Sequence, residues 1–240
     1  KLPLSAALVF GVPLLGIPSL GVVGCGIATA VAMWAQLLLA LRVLRKDPMY
    51  APYALWGHGL IKPDLSALRK HLTLGVPMGL AILVEVTAFS FMALFIARLG
   101  TTAVAGHQIA ANLVSLLFMM PLAIGNATST LVAQRLGAKD LVDARRLGWS
   151  GIQFGAALAL VMGLGAALLR EEIVRLYSSD VAVAAAAVPL VAWIAVFHVF
   201  DAVQAIAAFV LRAHQVTKRP VLILALALWG VWLGGGYALA

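Results

Sequence analysis

Two acidic residues, Glu85 and Asp201, lie inside long apolar stretches, and their carboxylates are the groups in this sequence best placed to do chemistry. The other seven acidic residues lie in polar connections: Asp47, Asp64, Asp140, Asp143, Glu171, Glu172 and Asp180. An ionised carboxylate at the centre of a membrane-spanning helix costs about 2.5 to 3.5 kcal/mol on insertion scales. We therefore expect each of the two to face a cavity or a partner.

No lysine or arginine lies within either apolar stretch to neutralise Glu85 or Asp201. Two carboxylates that share one cavity repel each other and lose hydration, so near neutral pH they hold either a proton or a bound cation. This is the property that a cation-coupling site needs, and we predict that role for the pair. The competing interpretation is that each is a neutral, hydrogen-bonded packing residue.

Three residues accompany Asp201 at helical spacing. Phe197 and Gln204 share its helix face, and His198 lies one position around. His198 is either a proton relay or a hydrogen-bonded core residue, and all three are candidates for lining a substrate cavity.

The sequence around and after Glu85 gives a second set of candidates. A polar stripe follows in the next apolar run, comprising His107, Gln108, Asn112 and Ser115. Such residues either bind substrate or hold membrane helices together. Phe89 and Met92 follow helical spacing near Glu85 and either pack in the core or line a pocket for apolar ligands.

The composition indicates which elements carry these residues. Apolar residues make up 63% of the 240 residues, charged residues only 11%, and the mean hydropathy is +1.04, which excludes a water-soluble fold. The net charge of +8 fits loops held against anionic lipid. Nucleic-acid binding is not expected, because no basic patch interleaved with aromatic residues is present.

Six apolar runs are long enough to cross a bilayer, which needs about 20 residues each. They are residues 21–41, 75–97, 104–134, 147–169, 181–211 and 220–240. The run 104–134 contains Pro121 and Gly125, so it is tilted, kinked or extended beyond the bilayer. The sequence thus predicts an all-α, polytopic transmembrane helix bundle.

The connections alternate in charge. Residues 42–71, 135–146 and 212–219 together carry thirteen lysines and arginines, whereas the opposite connections carry three. The positive-inside rule places the three basic connections in the cytoplasm and the chain in the inner membrane. The chain begins without methionine or a signal peptide and ends inside an apolar run, so we interpret it as a fragment.

Several short motifs occur together in a particular order. They are Gly75-Val76-Pro77, Leu83-Val84-Glu85-Val86-Thr87, Ala105-Gly106-His107-Gln108-Ile109-Ala110, Met120-Pro121-Leu122, Arg135-Leu136-Gly137-Ala138, Asp201-Ala202-Val203-Gln204 and Leu211-Arg212. This ordered set resembles the multidrug and toxic compound extrusion (MATE) transporters, in particular their NorM-like branch. The resemblance covers essentially the whole chain.

The resemblance implies part of a twelve-helix fold with two lobes. Residues 1–41 would be the end of the first lobe (the end of helix five, and helix six), residues 42–71 a cytoplasmic linker, and residues 72–240 a truncated second lobe with helices seven to eleven. It also implies a secondary active antiporter that exports organic, often cationic, compounds in exchange for Na+ or H+ by alternating access. Its partners would be small organic cations or drugs, the lipid bilayer and the missing first lobe, with no cofactor beyond the coupling ion.

By position, Glu85 and Asp201 match the two acidic residues that bind the coupling cation in the family's second lobe. Family members often have tyrosine where this chain has Phe197, and glutamine where it has His198. The missing hydroxyl leaves the choice between Na+ and H+ open, although the branch favours Na+.

Other functional classes have weaker support. A lipid or polysaccharide flippase of the same superfamily is the main alternative, although such cavities usually carry more basic residues. An intramembrane aspartyl protease would need Tyr-Asp and Gly-Asp settings that are absent, and an ion channel would differ by its non-saturating conductance. Because the sequence has no P-loop, zinc-ligand spacing or nucleophile elbow, we expect neither an ATP-driven pump nor an enzyme.

Overall fold

The computed structural model describes residues 2–11, 18–53 and 64–239, and within these ranges the chain is helical and contains no strand. The first helices are α1 (Leu2–Phe10), α2 (Gly21–Lys46) and a short 3-10 helix (Pro48–Tyr53). They are followed by α3 (Leu65–Ala97), α4 (Thr101–Gly137), α5 (Leu141–Leu168), α6 (Arg170–Tyr177) and α7 (Val181–Ala213). The last stretch comprises α8 (Lys218–Ala225), a π-helical segment (Leu226–Leu233) and α9 (Gly234–Leu239).

The prediction of an all-α membrane bundle is confirmed. Six helical stretches in the described residues are long and apolar enough to cross a membrane, and they coincide with the six predicted spans. Large apolar side chains stay exposed along them, as expected of surfaces that face lipid rather than water.

The helix boundaries differ from the predicted ones where spans continue into the interface. The helix α3 begins at Leu65, so the amphipathic stretch before Gly75 is continuous with the span. The helix α4 is one uninterrupted helix of 37 residues despite Pro121. At 1.5 Å per residue such a helix is about 55 Å long, well beyond a hydrocarbon core of about 30 Å. This length fits a helix that is tilted, kinked at Pro121 or extended beyond the bilayer, so the three interpretations of this run all stay open.

The chain divides into two compact units, residues 1–64 and 65–240, and the boundary falls within the predicted linker 42–71. Part of that linker, residues 54–63, lies outside the described residues. In the first unit, α1 packs on α2 where Gly24 meets the backbone of Leu8. The backbone N–H of Leu20 also donates a 3.0 Å hydrogen bond to the carbonyl of Leu8.

The centre of the second unit is a packed group of three helices, α4, α5 and α7. Small residues let these helices approach closely, as is common in membranes. A methyl group added at Gly106 would come within 2.9 Å of the Ala186 side chain, and one at Gly163 would come within 3.0 Å of the Ala195 carbonyl. The buried apolar cluster between the helices comprises Ile109, Leu113, Leu117, Ala166, Val174, Ala187, Val191 and Ile194.

The last span packs against α3 through aromatic side chains. Phe89 meets Trp232 edge-on with ring centres 5.1 Å apart, and Phe95 lies 5.9 Å from Tyr237. The α3 helix also touches α4, but less extensively. This arrangement leaves a space between α3 and the end of α7.

Candidate functional site

A cavity of about 250 Å³ lies between α3, α4, the end of α7 and α8. Most of its wall is apolar, with Met78 and Ile82 on one side and Phe118 and Leu122 on another. Its polar lining residues are Glu85, Gln204, Arg212 and Thr217. A mostly apolar wall with a few convergent polar groups is typical of small-molecule sites in membrane bundles.

Glu85 is held in this wall by α3. It follows Ala81 by one helical turn, and Ala81 is buried and lines the same cavity. The side chain is half-buried, and within the described residues no hydrogen bond or ion pair occupies its carboxylate. The carboxylate is therefore available to a proton, a cation or a charged ligand.

Arg212 lines the same cavity as Glu85, which corrects the expectation that no basic residue belongs to either acidic span. The sequence placed Arg212 in the connection after residue 211, but α7 continues to Ala213 and includes it. Its guanidinium carbon lies 4.7 Å from the centre of the Phe209 ring. Phe209 in turn packs on Gly125 of α4, where only glycine leaves room for the ring.

Asp201 is half-buried one turn before Gln204, and it does not belong to the cavity wall itself. Its carboxylate is nevertheless close enough to Glu85 for their negative charges to repel each other. Glu85 also lies within electrostatic reach of Arg212. The structure thus gathers two acids and one base, and Glu85 interacts electrostatically with each of the other two.

The oxygen-bearing side chains of this group, Glu85, Asp201 and Gln204, are of the type that hard cations prefer. Among the described residues no group of three or more histidine, cysteine, aspartate and glutamate side chains gathers as a metal site. A Na+ ion here would therefore draw on the two carboxylates, the Gln204 amide, backbone carbonyls and water. Phe197, which is 47% exposed, supplies no ligand.

His198 is separate from the cavity. It is completely buried on the α7 face that also buries Ile194 and Ala202, and that face packs between α4 and α5. Neither ring nitrogen finds a hydrogen-bond partner among the described residues. The structure therefore places His198 in the core, as one interpretation held, but without the hydrogen bond that this interpretation assumed.

The polar stripe on α4 lies away from the cavity. Asn112 accepts a 2.9 Å hydrogen bond from the Tyr177 hydroxyl, which ties α4 to α6. His107 is half-buried and Gln108 exposed, and none of the three lines the cavity. Their predicted part in substrate binding stays a prediction.

Phe89 and Met92 point toward the last span rather than into the cavity. Phe89 contacts Trp232, and Met92 lies beside Gly236. Both residues take part in the packing of α3 on the last span. Their role in ligand binding likewise stays a prediction.

The sequence analysis missed several residues of the cavity wall, of which only Arg212 has a signal in the sequence. Arg212 could have been found, because a basic side chain one residue beyond an apolar run often belongs to the helix and reaches toward the interface. Phe118 and Thr217 carry no such signal, because their place in the wall depends on how distant helices pair. The same holds for Pro220, Val221 and Leu224 of the last span.

The helices and the cavity are those of a multi-pass membrane protein. The sequence profile of the MatE family matches residues 77–237. The chain therefore belongs to the MATE family, whose members are transporters rather than enzymes.

Curated relatives agree with this membership. Over its whole length the chain is 43% identical to a probable multidrug resistance protein NorM of Aromatoleum aromaticum, and it covers 51% of that protein. Over 96% of its length it is 40% identical to the multidrug resistance protein MdtK of Pectobacterium atrosepticum, covering 49% of it. The MdtK of Proteus mirabilis is 34% identical over the whole chain, which covers 52% of it. The chain thus spans about half the length of the curated relatives it matches.

Proposed function

We propose that the whole protein is a secondary active antiporter that exports organic, often cationic, compounds in exchange for Na+ or H+. The observation that carries this proposal is the unpaired carboxylate of Glu85 in the wall of a mostly apolar cavity between membrane spans. A carboxylate attracts a cationic group, and the apolar wall accommodates an organic skeleton. The names of the relatives, which describe multidrug resistance, support the same substrate class.

The coupling mechanism follows from the charges. When Na+ or H+ loads Glu85 and Asp201, their mutual repulsion is relieved and their affinity for a cationic substrate falls. Cation binding and substrate binding then exclude each other, which is the requirement for exchange. In the alternating-access cycle the loaded and unloaded charge states favour different packings of the lobes.

Arg212 is the third charge in this scheme. Since its guanidinium stays protonated at any physiological pH, it offsets one negative charge in the cavity when neither ion nor substrate is bound. Its stacking on Phe209 keeps the positive charge at the wall near the end of α7. The positive-inside topology puts this end on the cytoplasmic side, where a substrate for export enters.

The rest of the substrate pathway belongs to a first lobe beyond this chain. The share of the relatives that the chain covers, about half, fits the end of one lobe followed by most of a second. In this scheme residues 1–41 close the first lobe and residues 42–71 form the cytoplasmic linker.

A lipid flippase is the second candidate, and one observation favours it. Arg212 gives the cavity the basic residue that a phosphate head group would need. The cavity also contains the opposing charge of Glu85, which would repel such a head group, so the antiporter is the better fit.

Efflux of a cationic dye from cells that express the full-length protein tests the proposal, with the Na+ and pH gradients varied independently. Wild type is expected to export the dye with dependence on one gradient. Glu85→Gln and Asp201→Asn are expected to abolish that dependence, whereas Asp143→Asn, in the first turn of α5 and outside the cavity, should keep it. Efflux without dependence on either gradient, or full activity of both cavity variants, would refute the proposal.

A further inference from the structure

A second concave surface lies between the beginning of α3 and the beginning of α8. It is an open groove of about 460 Å³, and it is distinct from the cavity at Glu85. Its apolar lining comprises Leu65, Leu68, Leu72, Val76 and Pro77. Its polar lining comprises Arg69, Thr73 and Lys218.

The apolar part of the groove is a continuous stripe on α3. Leu65, Leu68, Leu72 and Val76 recur at three- and four-residue intervals, and each is about half exposed or more. Leu65 and Leu72 lie in the part of α3 that precedes the predicted hydrocarbon span at residue 75. On the predicted topology these side chains lie near the head-group region, where they offer an apolar surface to the acyl chains of a lipid.

The charged part of the groove is wholly positive. Arg69 and Lys218 approach it from α3 and α8, and no acidic residue lines it. Among the described residues no ion pair joins Arg69 or Lys218 to an acidic side chain. Asp64, which directly precedes Leu65 in the sequence, does not line the groove.

We propose that this groove is a binding site for an anionic phospholipid of the cytoplasmic leaflet. The phosphate group lies between Arg69 and Lys218, and the acyl chains cover Leu72 and Val76 toward the membrane interior. The two basic side chains match the anionic head group of such a lipid, and the apolar stripe matches its acyl chains. Basic pockets between membrane helices on the cytoplasmic side are known to bind anionic head groups. The site is independent of the proposed transport activity.

Native mass spectrometry of the detergent-purified full-length protein tests the site directly. Added phosphatidylglycerol is expected to stay bound in preference to phosphatidylcholine. The double variant Arg69→Gln/Lys218→Gln is expected to lose about thirtyfold in phosphatidylglycerol affinity, given the usual contribution of each basic residue near a membrane surface. Arg69→Lys/Lys218→Arg keeps both charges and should keep the preference.

The matched control is Arg145→Gln/Arg146→Gln, which removes two exposed cytoplasmic charges from α5 and should leave lipid binding unchanged. Glycerol phosphate, which has the head group without acyl chains, should not displace the lipid if the apolar stripe contributes. Equal binding of phosphatidylglycerol and phosphatidylcholine to wild type would overturn the proposal. So would an equal loss of phosphatidylglycerol affinity in Arg69→Gln/Lys218→Gln and in the control Arg145→Gln/Arg146→Gln.

Photo-crosslinking identifies the occupant. With a benzophenone amino acid in place of Thr73, the full-length protein in native membranes is expected to crosslink to phospholipid. Crosslinks to another segment of the same chain would mean that protein covers the groove, and the lipid site would be rejected.

Discussion

The indole N–H of Trp229 donates a 3.2 Å hydrogen bond to the carbonyl of Val84, the residue immediately before Glu85. The same carbonyl accepts a 3.1 Å hydrogen bond from the hydroxyl of Thr87. Trp229 belongs to the π-helical segment, and such segments are rare and often lie at functional sites. The last span is thus fastened to α3 beside the carboxylate that we assign to coupling.

Replacing Trp229 with phenylalanine should loosen this attachment. The ring keeps its edge-on contact with Phe91, but the hydrogen bond to Val84 is lost. We expect a loss of about 0.5 to 1.5 kcal/mol in the free energy of unfolding. Denaturant unfolding of the full-length protein measures it. Trp193→Phe is the control, because Trp193 is 72% exposed to the lipid side and should cost less; equal effects of the two changes would argue against the hydrogen bond.

The contact between Gly125 and Phe209 should be intolerant of even one methyl group. A Cβ at Gly125 would come within 2.5 Å of the Phe209 ring, which also supports Arg212. We expect Gly125→Ala to cost about 1 to 3 kcal/mol of stability through overpacking. Gly165→Ala on α5 meets open space and should be neutral or slightly stabilising. A melting temperature for Gly125→Ala at or above that of Gly165→Ala would contradict the packing described.

Asn112 should act in helix packing through Tyr177. In a double-mutant cycle with Asn112→Ala and Tyr177→Phe, we expect a coupling of about 0.5 to 1 kcal/mol in unfolding free energy, since the hydrogen bond is partly exposed. Additive effects in the cycle would show that the bond contributes nothing. Dye efflux by the same variants separates helix packing from substrate binding. If Asn112→Ala loses efflux and Tyr177→Phe does not, Asn112 binds substrate.

His198 presents a buried imidazole whose nitrogens have no partner among the described residues. Removing an unsatisfied polar group from a core recovers its desolvation cost, which is about 1 to 3 kcal/mol. His198→Leu should therefore raise the thermal stability of the full-length protein, whereas His107→Leu, at a half-buried position, should change it less. If His198→Leu is markedly destabilised, the imidazole is hydrogen-bonded in the protein, as the core-residue interpretation assumes.

The positive charge of Arg212 is expected to lower the affinity of Glu85 for the coupling cation. Arg212→Gln removes a positive charge from the same cavity, so the concentration of Na+ or H+ that half-saturates efflux should fall by about tenfold. Arg212→Lys keeps the charge and should stay near wild type. Arg219→Gln removes a positive charge from α8 outside the cavity lining and serves as the control. An unchanged half-saturation in Arg212→Gln would remove Arg212 from the scheme.

The sequence predicts the parts of this structure that depend on local composition. The six spans follow from apolar runs of sufficient length, and Glu85 and Asp201 stand out because a carboxylate in such a run is costly. Pairing between distant segments is not local, so the contact of Asn112 with Tyr177, 65 residues away, has no sequence signal. The wall contributed by Phe118 and Thr217 is missed for the same reason. The sequence predicts Arg212 in a loop because its charge ends the apolar run, although α7 continues two residues beyond that run, to Ala213.

The central claim is that Glu85 and Asp201 hold the cation that is exchanged for substrate. Its most direct test is cation release from the purified full-length protein in weakly buffered solution, with Na+ and pH followed while a cationic dye is added at saturation. We predict that dye binding releases Na+ or H+ from wild type, and that Glu85→Gln/Asp201→Asn releases neither. Release of the same amount of the same ion by the double variant would contradict the account.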